Sequence, residues 1–374
     1  MIRVLQVIGS MNRGGIETFL MNIYRNIDRN KVQFDFAVHT QKKCAYDDEI
    51  LDLGGRIFRI TPRGKNISRH NEDWNKLFKD HPEIQIVHQH VASLTYINGL
   101  KFAKKNKVKS RIIHAHNTQS EGKLHYLMHL INGKRIHKYV TDYFSCSLMA
   151  SDWLYGRTKL DSRNAKIVNN AIDVKKFLFD NDKRRKAREE LCLEGDFVIG
   201  HVGRLANQKN HLFLIDIFEK VSHRLGNAKL ILVGQGPLKQ SIADYINKKG
   251  LNDKVKFLGN RPDVNDIMQA MDVFVFPSFH EGLGIVLIEA QASGLKCFAS
   301  KEGVPSEAKI TDSLRFISLE SPADIWADNI VETSYEKAVR DIDTDIIKEA
   351  GYEITNEALS LQNFYCETVM MKNK

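Results

Sequence analysis

Residues 272–294 read DVFVFPSFHEGLGIVLIEAQASG. Asp272 to Phe276 is a β-branched and aromatic run closed by Pro277, the pattern of a buried strand, whereas Gly284 to Ala292 has the length and composition of a helix. A strand that passes through a glycine-spaced turn into a helix places Glu281 in the turn and Glu289 on the second helical turn. A helix start offers unpaired N–H groups and a positive dipole end. Gly282 and Gly284 lack the side chains that would hold a phosphate or a sugar hydroxyl away from them. The stretch therefore reads as an anion site beside two carboxylates. Ser278 and Glu281 also have the spacing of a capping box, and an ordinary solvated helix acid is the bland reading of Glu289.

At 374 residues, with 43% hydrophobic content and only seven prolines, the chain is long enough for two or three domains with ample core. It contains no run of about 18 apolar residues, and MIRVLQVIGS enters a strand pattern directly, so a cytoplasmic location is expected. Cys44, Cys146, Cys192, Cys297 and Cys366 are scattered, with no CxxC or Cys/His pair at zinc spacing, and read as reduced structural thiols. Charge is uneven. Residues 1–173 hold 28 Lys+Arg against 16 Asp+Glu, a net +12, which leaves 27 against 30, or −3, of the overall +9. The densest basic run, KFAKKNKVKSR, holds Lys101, Lys104, Lys105, Lys107, Lys109 and Arg111, and a second cluster holds Lys134, Arg135 and Lys138. A solvated helix face is the ordinary reading. The sharper one is a surface for anionic membrane lipid or a phosphate-bearing acceptor, giving a protein peripheral at the inner face of the membrane. Nucleic acid is not an expected partner, because no helix-turn-helix, RRM or zinc module accompanies the charge.

Residues 2–9 (IRVLQVIG) form a strand pattern, and SMNRGG then leads into a helix with Ile16, Phe19, Leu20 and Ile23 at helical spacing. The turn nearly has P-loop spacing, yet Gly15 and Ile16 stand in the places of the Lys and the Ser/Thr, and GxGxxG is not formed either. NTPase and nicotinamide-cofactor readings are weakened accordingly. What remains is a Gly14-Gly15 pair that lets backbone approach a ligand, or a tight turn. Strand patterns at 32–39, 56–60, 84–89, 110–115, 141–146 and 165–168 alternate with amphipathic helical segments, which predicts a parallel sheet with helices on both faces. Ligands gather at the carboxyl ends of such strands, where His88 and His90 follow one strand and His114 and His116 another. An H-x-H pair could ligate a metal, but no third ligand is identifiable in the sequence.

VNNAIDVKKF (168–177) breaks the pattern, and a charged surface helix, DNDKRRKAREE, precedes a new strand at 197–202. The expected division is a first domain of 1–173, a second of 174–351 and a terminal helix of 352–374. The second half repeats the alternation, so the predicted class is α/β, with two tandem doubly wound Rossmann-like domains. In the loop GRLANQKNH, Arg204 and Lys209 follow a strand end, and two cations aimed at one crevice suit a diphosphate. GQGP (234–237) and FLGNRP (257–262) are further strand-end loops, and together they outline a nucleotide-sized cleft expected to face the first domain.

On these residues the chain resembles the GT-B fold, retaining glycosyltransferases of family 4, and among them those of exopolysaccharide and capsule assembly. The resemblance covers nearly the whole length. It rests on Gly14-Gly15-Ile16-Glu17, on His116, on VNNAID in place of P-N-G-I-D, on GRL…K with Arg204 and Lys209, and on the E-x7-E pair Glu281 and Glu289 in HEGLGIVLIEAQASGL. It implies two sheets facing across a cleft, with the acceptor on the first domain and the nucleotide-sugar donor on the second. Arg204 and Lys209 would hold the donor diphosphate, and the backbone of Gly282, Leu283, Gly284 and Ile285 would contact sugar and phosphate. Glu289 would bind the ribose diol, Glu281 the transferred sugar, and Asn260 and Arg261 the base. His116 is expected near the reacting carbon, with Gly14 and Gly15 close to the donor. Ala171 for the usual Gly, Lys296 for a frequent Pro, and GVPSE (303–307) for G-G-x-x-E depart from the family pattern.

The implied activity is retaining transfer of a hexosyl unit from a UDP-sugar to a hydroxyl of a glycan or lipid-diphosphate-linked acceptor. The cations and the helix start would take the place of a divalent metal, so no cofactor and no metal are expected. DTD at 343–345 lies in an acidic helical stretch and not in a convincing metal position. Two other readings share the architecture: a nucleotide-sugar epimerase, which needs no acceptor, and a non-catalytic scaffold in membrane-associated polysaccharide assembly, which would lose donor binding.

Overall fold

The computed structural model describes residues 1–119, 122–335 and 340–371. It divides into two compact units, one made of Met1–Ala171 and Ile354–Lys374, the other of Ile172–Glu353. The first unit is a seven-stranded sheet in the order β3-β2-β1-β4-β5-β6-β7, where β1 is Ile2–Ile8, β2 Val32–Val38, β3 Ile57–Arg59, β4 Ile84–Val91, β5 Ser110–Ala115, β6 Asp142–Ser145 and β7 Lys166–Ile167. The second is a six-stranded sheet in the order β10-β9-β8-β11-β12-β13, where β8 is Phe197–Val202, β9 Ala228–Val233, β10 Val255–Gly259, β11 Val273–Phe276, β12 Lys296–Ser300 and β13 Leu314–Ile317. Every named strand pair is parallel. Strand–helix alternation thus yields two doubly wound parallel sheets, as the sequence pattern predicts.

In the first unit Val4, Ile86, Ile112 and Phe144 share one sheet face with Phe19, Leu20 and Ile23 of the helix Gly15–Asn26. The terminal helix Ile354–Met371 completes that core with Ile354, Ala358, Leu361 and Tyr365, all buried. Gln362 Oε1 accepts from the Asp28 backbone N–H at 2.8 Å. The two connecting segments are held by an isolated parallel bridge between Ile172 and Glu353. In the second unit Ile199, Leu230, Leu232, Val273, Val275 and Phe298 pack against Leu214, Phe218, Trp326 and Ile330.

β4 extends to Val91, two residues beyond the expected 84–89, so His88 and His90 lie inside a buried strand rather than after it. His114 likewise lies within β5, and only His116 follows a strand end. Polar imidazoles interrupt the apolar pattern from which strand ends are read, and here they occupy core-facing positions.

Candidate functional site

The central stretch and the loop after β8 are joined in the second unit by three contacts. The Phe279 N–H donates to the Gln208 carbonyl at 2.8 Å, Gln208 Nε2 donates to the His280 carbonyl at 2.8 Å, and Lys209 Nζ donates to Glu281 Oε1 at 2.6 Å. The Lys209–Glu281 pair is largely withdrawn from water, with side chains 14% and 7% exposed. Lys209 Nζ also lies 4.4 Å from the centre of the Phe276 ring. A lone charge there would carry a desolvation cost of several kcal/mol, on the order of that for any buried ion, and each partner offsets part of that cost for the other.

The capping box is not formed. The helix Ile285–Ala292 starts one residue after Gly284, which serves as its N-cap at φ +85°, a left-handed conformation that glycine adopts without strain. Ser278 is fully buried six residues upstream of that cap. Glu289 is no solvated acid either: every residue of the helix is buried, Glu289 to 9% exposure, and burial pushes its carboxyl up to about 7. A carboxyl so placed, on a helix whose only other polar side chain is the buried Gln291, is a group kept for a ligand or a hidden partner.

Arg204 is exposed just beyond β8 and its guanidinium forms no ion pair among the described residues. The glycines of GQGP are set by close backbone contact: a Cβ on Gly234 would meet the Gly203 carbonyl, and one on Gly236 the Leu205 carbonyl. That loop bonds to the arginine loop through Leu205 N–H to Gln235 O at 3.1 Å and Leu238 N–H to Leu205 O at 3.0 Å. Asn260 is exposed, but Arg261 is engaged by Asp263 at 2.5 Å and Glu190 at 3.2 Å. The Arg261 guanidinium is thus held within its own unit, while the Asn260 side chain is exposed.

In the first unit, Gly14 and Gly15 are exposed. Gly14 has extended backbone at φ −159° and neither residue is left-handed, so a tight turn is not why they are glycine. A Cβ on Gly15 would meet nothing within 4 Å. His116 is 8% exposed, and its Nε2 lies 2.8 Å from His90 Nδ1. It ends a buried imidazole cluster: His88 and His90 have ring centres 4.3 Å apart, and His114 and His116 4.0 Å apart. Phe19 closes over His114 and His116 at 5.5 Å each. Burial holds all four rings well below the ordinary imidazole range, His116 down to about 3, so they are neutral.

His114 supplies the third imidazole that the sequence did not reveal, and the ring nitrogens of His88, His90 and His114 come within 4.8 Å of one another. Most of those nitrogens are already bonded. His88 meets Tyr365 Oη at 2.7 Å and His114 Nδ1 at 3.2 Å, and His90 meets His116 and, at 2.8 Å, Gln6 Oε1. Only His114 Nε2 is left over, so a three-imidazole cation site would have to break this network.

The basic clusters are mixed in role. Lys104, Lys105, Lys107, Lys109, Lys134, Arg135 and Lys138 are exposed, whereas Arg111 donates to the Tyr139 carbonyl at 2.7 Å and is structural. Two of the three departures from the family pattern are local packing, and the exposed Lys296 has no structural explanation. Ala171 is fully buried in the first core, and a Cβ on Gly303 would strike the Ser278 carbonyl, so GVPSE folds back under the central stretch. Sequence reasoning missed Gln208, Phe276, Gln6 and His90 as supporting residues. A cavity of about 320 Å³ lined by Phe78, Ile84, Lys107 and Val369 lies at the amino ends of β4 and β5, away from these residues.

Residues 182–330 match the family model described as glycosyl transferases group 1. Over 369 residues the chain is 32% identical to EpsF of Bacillus subtilis (strain 168), named as a glycosyltransferase, covering 97% of this chain and 96% of that protein. It is 26% identical to the capsular polysaccharide biosynthesis glycosyltransferase CapH of Staphylococcus aureus, covering 88% of this chain and 90% of that one. Its fold is similar to the crystal structure of Anabaena Alr3699/HepE in complex with UDP-glucose, with a TM-score of 0.75 and 18% identity over 99% of this chain and 100% of that chain. The two parallel sheets are therefore those of the GT-B architecture.

Proposed function

Because the chain belongs to the glycosyl transferases group 1 family, we propose that it moves a hexosyl unit from a UDP-sugar to a hydroxyl of a glycan or lipid-diphosphate-linked acceptor in cell-surface polysaccharide synthesis. The observation that carries this reading is the buried Lys209–Glu281 pair beside Gly282–Gly284, with the buried Glu289 one helical turn on. The UDP-glucose bound to the Anabaena protein and the capsular role in the name of CapH support the donor and the pathway.

In the proposed reaction the acceptor oxygen forms a bond to the anomeric carbon as the bond from that carbon to the diphosphate oxygen breaks. The acceptor proton passes to the departing phosphate, and attack on the face the leaving group vacates retains configuration. Charge grows on the diphosphate, where Lys209, Arg204 and the N–H groups at the start of Ile285–Ala292 stabilise it without a metal. Glu281, released from Lys209, orients the sugar, Glu289 accepts from the ribose hydroxyls, and His116 contacts the sugar.

The acceptor side of the proposal includes contact with anionic membrane. On the helix Lys123–Gly133, Leu124, Leu127 and Ile131 are 70%, 53% and 42% exposed at a spacing that puts them on one face, and the exposed lysines belong to the same unit. No helix among the described residues is long and apolar enough to cross a membrane.

The test is incubation with radiolabelled UDP-hexoses, with and without lipid-linked glycans, in EDTA, followed by NMR of the product linkage. Acceptor-dependent transfer with the donor's anomeric configuration kept is the expected result. Conversion of the donor sugar without acceptor would identify an epimerase, and absence of UDP binding a scaffold. A glycosyl–enzyme adduct on a carboxylate would replace the single front-face step by double displacement.

A further inference from the structure

We propose that Gln6 is a positioning residue that, through His90, holds His116 with its proton on Nε2 and so presents Nδ1 as an acceptor for a hydroxyl of the bound sugar. The proposal rests on the assignment of His116 to the sugar made above.

Strand register builds the relay. Gln6 on β1 stands opposite His88 on β4, and His90 on β4 opposite His114 on β5. Because side chains two residues apart along a strand share a face, Gln6, His88, His90, His114 and His116 lie on one side of the sheet. Gln6 is a fully buried polar residue in the otherwise apolar core of IRVLQVI, a position with no use for an amide unless it bonds.

A neutral imidazole has one donor nitrogen and one acceptor nitrogen. Gln6 Oε1 can only accept, so the proton of His90 is on Nε2, which lies 2.8 Å from it. His90 Nδ1 is left as an acceptor, and the hydrogen bond at 2.8 Å must come from His116 Nε2–H. His116 Nδ1 is thereby a lone pair, buried and without a partner among the described residues. An unpaired buried acceptor is unfavourable until a donor reaches it, and a sugar hydroxyl is such a donor. A second pair of contacts lies beside it: the Tyr365 Oη is 2.7 Å from His88 Nδ1, and His88 Nε2 is 3.2 Å from His114 Nδ1. If the Gln6 amide were turned over, the protons on His90 and His116 would reverse, and His116 would present Nδ1–H.

The experiment is imidazole ¹³C and ¹⁵N NMR of the whole protein labelled at histidine, with the His116 signals assigned by their loss in His116→Asn. The wild type is expected to show His116 protonated on Nε2. In Gln6→Met, which keeps the side-chain length and removes the acceptor, His116 is expected to populate both tautomers. Turnover should then fall on the order of 10-fold while UDP affinity, which involves no sugar, stays unchanged. Nδ1–H in the wild type overturns the relay without needing a variant, and so does a tautomer that Gln6→Met leaves unmoved; both leave the assignment of His116 to the sugar standing. A tautomer that shifts with turnover unmoved establishes the relay and overturns its function together with that assignment.

Discussion

Replacing Glu289 by Gln should make the free protein more stable and the nucleotide complex weaker. Burial raises the Glu289 carboxyl from 4.5 to about 7. The folded protein therefore holds a proton that the unfolded chain has released between those two values. Its stability falls as pH rises through that window and levels off above about pH 7. At about 1.36 kcal/mol per unit, the difference of 2.5 corresponds to roughly 3 kcal/mol, an upper bound on the cost of the buried carboxylate at alkaline pH. Glu289→Gln removes that cost, so urea unfolding at about pH 8 should shift toward higher midpoint, by about 1 M for a slope of the usual size, and the gain should vanish below about pH 4.5. A charged acceptor to a diol contributes about 1.5–3 kcal/mol, so UDP affinity by calorimetry should fall about 10- to 100-fold. Binding to the wild type below about pH 7 should release a proton, visible as a dependence of the heat on buffer ionisation. A variant less stable than the wild type at about pH 8, or one that binds UDP equally well, refutes the reasoning.

Lys209→Met removes the cation paired with the nearly buried Glu281 carboxylate, so UDP affinity should drop about 10- to 100-fold and chemical denaturation should show a loss of up to about 3–5 kcal/mol, whereas Glu281→Gln in the same background should recover stability but not binding. Ending the chain at residue 352 removes Ile354, Ala358, Leu361 and Tyr365 from the first core; at about 1.5–3 kcal/mol per large side chain this rivals the net stability of a domain, and the first unit should lose its cooperative melting transition. Leu124→Glu with Leu127→Glu should weaken sedimentation with anionic vesicles and leave UDP binding intact; unchanged sedimentation would remove this helix from the membrane proposal.

The strands were legible because each is a short apolar run, and β4 was read too short because His88 and His90 look like a strand's end although they face the core. The burial of Glu289 was signalled in IVLIEAQA, a helix apolar nearly all round, which is the mark of an element covered on every side. The two H-x-H pairs were placed after their strands, and Gln6 within IRVLQVI was not singled out, because neither carries a local sign of the neighbouring strand it faces. What no local pattern could show is pairing at long range: Lys209 meets Glu281 across 72 residues, and Tyr365 meets His88 across 277. Of the two partners of Arg261, Glu190 was hidden for the same reason, 71 residues away, whereas Asp263 lies only two residues on.

The central claim is a metal-independent nucleotide diphosphate site built on Lys209, Glu281, Glu289 and the glycine turn between them. Calorimetric titration with UDP, GDP and ADP, each with EDTA present, tests it most directly. Saturable binding of UDP in preference to the other two, lost in Lys209→Met and weakened in Glu289→Gln, is the predicted result. No binding of any of the three, or UDP binding that appears only when a divalent cation is restored, would contradict it.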